Sequence, residues 1–178
     1  MRLSRISTFF LVLLLCACTS RTDEVLPLPR AIVGASQVAK IDMVLQRTAR
    51  AAVDASDERA TRSREDGHEG APLEQMLPDM IREATREAGL TSGRELKLLL
   101  EIDDLQTASA GAAMFGKGDR LAGTVFVRDA ATDAPLGQLY VDVNARNSGV
   151  IGLATRGGVR ERLAAAFAER VARALAER

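Results

Sequence analysis

Apolar residues alternate with polar ones in four stretches of this 178-residue chain, and return every three to four residues in two more. Alternation is the period of a strand with one buried face, and the longer return is that of a helix. From 38 to 46, Ala39, Ile41, Met43 and Leu45 face Lys40, Asp42 and Gln46 across the chain, which predicts a strand. Val38, Ile41, Leu45 and Ala52 behind Ser36 also fit a helix, so this stretch keeps two readings. Over 72–88, Leu73, Met76, Leu77, Met80, Ile81 and Ala84 make a helical stripe that Gly89 stops. Pro78 should kink that helix or mark its start. Strands follow at 95–105 (Leu96, Leu98, Leu100 and Ile102 inward) and at 121–129 (Leu121, Gly123, Val125 and Val127 inward). Leu139, Val141 and Val143 alternate against Tyr140, Asp142 and Asn144, and the turn 131–135 joins the last two strands as a hairpin. The helix over 159–177 buries Leu163, Phe167, Val171, Ala174 and Leu175.

The predicted order is β-α-β-β-β-α in one domain, 36–178. Two helices would cover one face of an about four-stranded, largely antiparallel sheet, giving a two-layer α+β sandwich. The other face would stay partly wet. Residues 54–70 contain no aliphatic side chain larger than alanine and read as a polar loop. Residues 18–35, with Pro27 and Pro29, read as a tether with a reach of roughly 50 Å.

The first seventeen residues are of a different kind. Arg2 and Arg5 precede an unbroken apolar run from Phe9 to Leu15, too short to span a bilayer and suited to an export signal. Its end, Leu15-Cys16-Ala17-Cys18, resembles the lipobox of bacterial lipoproteins. That resemblance implies cleavage after Ala17, a diacylglyceryl thioether on Cys18 and acylation of the new amine, a palmitate-type anchor. Cys16 does not fit the role, because Leu15 is too large for the small-residue position before it. The other reading is an ordinary signal peptide, cut to leave Cys18 free. Two or more acyl chains hold a protein stably on a membrane, where one is marginal. Thr19, where the family's inner-membrane proteins carry Asp, implies the outer membrane, facing the periplasm.

Composition removes several kinds of chemistry. Both cysteines lie in the signal region, so the domain has no thiol for a disulfide, metal or nucleophile. The full chain has 24 cations and 24 acids, and loss of Arg2 and Arg5 leaves 22 against 24, a net of −2. No basic patch points to nucleic acid. Only Phe115, Phe126, Phe167 and Tyr140 are aromatic beyond the signal, too few for a stacking platform. Gly111–Gly118 has phosphate-loop spacing, but Gly118 replaces the Mg²⁺-binding hydroxyl and a strand, not a helix, is predicted next. His68 stands alone among acids, with no second imidazole or thiol to share a transition metal. Glu101 and Asp103 share a strand face and could form a paired acid site, whereas Asp104 should point the other way. No serine occupies a Gly-x-Ser-x-Gly elbow. No cofactor and no metal are expected.

Val127-Arg-Asp-Ala-Ala-Thr-Asp133-Ala-Pro-Leu136 resembles a hairpin phrase of small uncharacterised bacterial envelope lipoproteins, with Asp133 where those carry Gly. The resemblance extends to the helix, the hairpin, the glycine-rich loop and the closing helix. It implies a fold and a location but no chemistry. The expectation is a lipid-anchored, non-enzymatic accessory protein contacting another envelope protein or itself. The alternative is a small-ligand or peptide-binding periplasmic module. Candidate interaction residues are Gly111, Phe115, Gly116, Lys117, Gly118 and Arg120 on one loop, and Asn147, Gly149 and Gly152 on another.

Overall fold

The computed structural model describes residues 18–62, 71–107, 118–145 and 158–177. The fold is α+β, as the periodicity predicts, but larger than expected. Among the described residues, five strands form one mixed sheet and three helices pack with it. The strands are β1 (Cys18–Leu26), β2 (Ser36–Leu45), β3 (Arg94–Gln106), β4 (Asp119–Asp129) and β5 (Pro135–Ala145). The helices are α1 (Arg47–Arg62), α2 (Leu73–Glu87) and α3 (Val159–Ala176). Spatial order is β1-β5-β4-β3-β2. The pairs β1–β5, β5–β4 and β4–β3 are antiparallel, and β3–β2 is parallel. A parallel pair needs a crossover, and α1 and α2 supply it between β2 and β3.

The segment read as a tether is part of the domain. Cys18 to Leu26 pair with Ala145 to Gln138 as an edge strand. Leu28 and Ile32, 1% and 2% exposed, then enter the core. The Gly34 N–H donates to the Leu175 carbonyl of α3 at 2.9 Å. Polar side chains on β1 give it no apolar period: in its sequence, CTSRTDEVL, no hydrophobic side chain from residue 21 to 26 is buried. Main-chain hydrogen bonds, not side-chain burial, define it.

The ambiguous stretch after it is a strand, and the first part of the expected polar loop is helix α1. Its buried residues are small: Ala49, Val53 and Ser56. Alanine favours a helix intrinsically, and small side chains let its axis approach β3 closely. His68 and its acidic neighbours lie outside the described residues. α2 runs through Pro78, which is buried in its interior. Gly89 ends it as expected. With φ at 82°, it lets the Leu90 N–H reach the Thr85 carbonyl and its own N–H the Arg86 carbonyl. Leu90 is buried beside that cap.

The start of α2 follows Pro72 and has no side-chain cap of its own. Asp57 of α1 supplies one: its carboxylate accepts the Leu73 N–H at 3.2 Å. The same carboxylate pairs with Arg160 in the first turn of α3. Arg160 is 4% exposed and also meets Glu161 at 2.8 Å. A negative charge thus sits at the positive end of α2 and neutralises a buried guanidinium.

Inward residues of all but the outermost strand join the helix stripes in a single core. Leu96, Leu98, Leu100 and Ile102 of β3 meet Val125, Val127, Leu139, Val141, Leu77, Ile81 and Phe167, all fully buried. Gly93 permits the close approach of the β3 entry to the β2 entry. Its φ is 105°, and a methyl group there would collide with the Ala35 carbonyl. Gly89 has the same hand but open space around it. Gly89→Ala is therefore expected to cost about 1 kcal/mol, and Gly93→Ala about 3 kcal/mol or more. Urea unfolding of the two variants checks the difference, and equal losses would contradict the packing described.

Candidate functional site

The side of the sheet away from the core is built from the alternate residues of each strand. It carries Arg120, Thr124, Phe126 and Arg128 on β4, Gln138, Tyr140, Asp142 and Asn144 on β5, and Lys97, Leu99 and Glu101 on β3. All are half-buried. Register sets Phe126 between Leu99 and Gln138, and Thr124 between Glu101 and Tyr140. A small apolar centre therefore lies between two polar clusters, one toward each end of the strands.

Arg120 organises the first cluster. Its Nε and Nη2 donate to both oxygens of Asp142, at 3.0 and 2.9 Å, the forked geometry that guanidinium matches best. Nη1 donates to Asp104 at 3.1 Å and Nη2 reaches the Tyr140 hydroxyl at 3.4 Å. Asn144 donates to Asp142 and Gln106 to Asp104. The hydrogen bond from Arg120 to Asp142 raises the Arg120 pKa further above its ordinary value. Arg120 was expected on an interaction loop. It lies in β4, and its guanidinium is committed to carboxylates of its own chain.

The acid pair takes a form that alternation does not predict. The register shifts between Ile102 and Asp104, a bulge that leaves Asp103 without a partner. Asp104 then pairs with Ala122 and reaches the outer face beside Glu101. Burial, together with Glu101 and Asp104, raises the Asp103 pKa. Glu101 accepts a hydrogen bond from Gln46 at 3.2 Å. Among the described residues, no group of His, Cys, Asp or Glu side chains could hold a metal ion.

The second cluster surrounds the β4–β5 turn. One Asp129 oxygen accepts from the Thr132 N–H and hydroxyl, each at 2.8 Å, and from the Ala131 N–H. The other accepts from Arg94 at 2.7 Å. These contacts, the Arg94 bond foremost, hold the Asp129 carboxyl far below the ordinary 3.8. Asp133 adopts the left-handed conformation, φ 57°, that the sequence allows it in place of glycine. It accepts from Lys97 at 3.0 Å and Arg128 at 2.6 Å, and its pKa is lowered, chiefly by Lys97.

Of the expected interaction residues, Gly118 immediately precedes β4, so a strand follows the glycine-rich segment and the helix that a phosphate loop requires is absent there. Gly111, Phe115, Gly116, Lys117, Asn147, Gly149 and Gly152 lie outside the described residues. Cys18 is the first residue of β1 and pairs with Ala145. Sequence reasoning missed Asp104, Tyr140 and Asp142 as partners of Arg120. Charges of opposite sign at matching outward positions of neighbouring strands were the available signal.

No protein-family model and no curated protein matches the chain. Solved structures share its fold. The PelC dodecamer from Paraburkholderia phytofirmans matches with a TM-score of 0.53 at 11% identity, over 91% of this chain and 100% of that one. Protein XCC0632 from Xanthomonas campestris, assigned to family DUF330, matches with a TM-score of 0.52 at 12% identity, over 82% and 86%. A candidate lipoprotein from Caulobacter crescentus CB15 matches at 15% identity over 76% and 86%, with a TM-score of 0.40.

Arg120→Ala leaves two carboxylates facing each other across β4, and is expected to cost about 1–2 kcal/mol, read as a lower Tm. An unchanged Tm would mean the network is ornamental. Asp129 has a depressed folded pKa, so its contribution is present above 3.8 and is lost as pH falls through the lower folded value. Asp129→Asn should therefore destabilise the domain at pH 7 and much less at pH 2. A pH-independent loss would contradict the assignment.

Proposed function

We propose that this chain is a bacterial envelope lipoprotein anchored through Cys18 in the outer membrane, facing the periplasm, with a non-enzymatic accessory role. It acts by contact with another envelope protein or with copies of itself. The observation that carries the reading is the side of the sheet away from the core, which no helix of the described residues covers and which the two edge strands β1 and β2 bound. The described large hydrophobics that stay exposed, Val25, Leu26 and Val44, all lie on those edges. On the face itself, Arg120, Asp104, Asp142, Lys97 and Asp133 are committed to one another, an arrangement suited to contact and not to proton transfer.

Support for the anchor comes from the lipobox. Among the described residues no helix is long and apolar enough to cross a membrane. Support for self-association comes from the PelC fold neighbour, which is a dodecamer. The same open edges favour a second reading, a periplasmic module that adds an extended peptide as a further strand. Crosslinking the lipidated protein in cells separates the two: a reproducible protein partner or a ladder of copies supports the accessory role. A melting temperature raised by a defined peptide, with no protein captured, supports the module. Cys18→Ala is expected to move the folded domain out of the membrane fraction. Retention of that variant with membranes would overturn the anchor.

A further inference from the structure

We infer that the lipid anchor fixes the orientation of the domain: the Cys18 end of the sheet lies at the bilayer surface and the β4–β5 turn points away from it. The inference rests on lipidation at Cys18, proposed above. Its own ground is the absence of any spacer. Cys18 is already paired with Ala145, so the acylated residue is the first rung of the ladder. Successive rungs place Thr19 level with Asn144, Arg120 and Gln106 across four strands. All of these positions must then lie close to the headgroups.

The opposite end is defined as clearly. β4 runs from Asp119 to Asp129, eleven residues. At a rise of about 3.3 Å per residue, the turn beyond Asp129 stands roughly 30 Å farther from the anchor. A free tether of eighteen residues would let the domain tumble, whereas a β-ladder starting at the anchor does not. Charge does not create this orientation. The described residues at the anchored end carry mixed charge, Asp104, Asp119 and Asp142 against Arg21, Arg59 and Arg120, which gives no net attraction to anionic lipid. The covalent anchor imposes it, so the orientation should be insensitive to salt.

The arrangement assigns the two polar clusters different surroundings. The Arg120 cluster lies at the membrane-proximal end of the outer face. Asp129, Asp133, Lys97 and Arg128 form the membrane-distal tip. A periplasmic partner approaching the tip meets the second cluster first.

The chain contains no tryptophan, so a single introduced indole reports its own distance from the membrane. Gln106→Trp marks the proximal end and Ala131→Trp the distal turn; both positions are exposed. The full lipoproteins would be reconstituted in phosphatidylcholine vesicles containing a dansyl-headgroup lipid, and energy transfer from indole to dansyl measured. Transfer from Gln106→Trp should exceed that from Ala131→Trp by at least about threefold, given the separation of roughly 30 Å, with and without 0.5 M salt as an order of magnitude. Acylated, vesicle-bound protein with equal transfer at the two sites would overturn the orientation and leave the anchor standing. Protein without the acyl mass, or failing to float with vesicles, would overturn the anchor. Asn144→Trp and Thr132→Trp provide an independent pair if either first variant loses its native circular dichroism.

Discussion

The ladder between β1 and β5 is the constraint on which the arrangement of this molecule depends. It holds Cys18 at one corner of the sheet, covers the hydrogen-bonding edge of β5 and turns the chain so that Leu28 and Ile32 drop into the core. Leu28 lies so close to Gly137 of β5 that a methyl group there would overlap its side chain. Without the ladder the sheet would end at β5, the Leu28–Ile32 connection would have no fixed entry, and the first residue of the domain would have no defined position.

The rest of the fold follows from two kinds of burial. Leucine, isoleucine and valine at alternate positions of β3, β4 and β5 were legible in the sequence, because a strand with one dry face repeats every two residues. α2 and α3 were legible for the equivalent reason at 3.6 residues. The elements that escaped are those whose evidence lies elsewhere. β1 is held by main-chain bonds and half-exposed polar side chains. α1 buries Ala49, Val53 and Ser56, a stripe too small to stand out against a search for large aliphatics. The bulge at Asp103 brings Asp104 to the face opposite the expected one, and no local residue pattern announces a bulge.

The candidate site has a similar history. Arg120 was singled out by its place after a glycine-rich segment, but its meaning comes from neighbours 16 and 22 residues away. Proximity to Asp104 and Asp142 makes a residue expected on an interaction loop into a brace across three strands. Asp57 and Arg160, 103 residues apart, do the same work for the helices. Both are invisible to motif reasoning because the sequence separation is set by topology. Such internally paired clusters give a face that is polar enough to remain wetted and braced enough to hold its shape.

The chain from residue 19 to 26 is strand and not tether. Native-state hydrogen exchange of the folded chain is the direct measurement, because only amides held in a ladder are protected. The β1 amides bonded to β5 are expected to exchange at least about a hundredfold more slowly than an unstructured chain, with protection lost together with that of β5. Exchange across 19–26 at the rate of a free peptide, with β5 still protected, would contradict it.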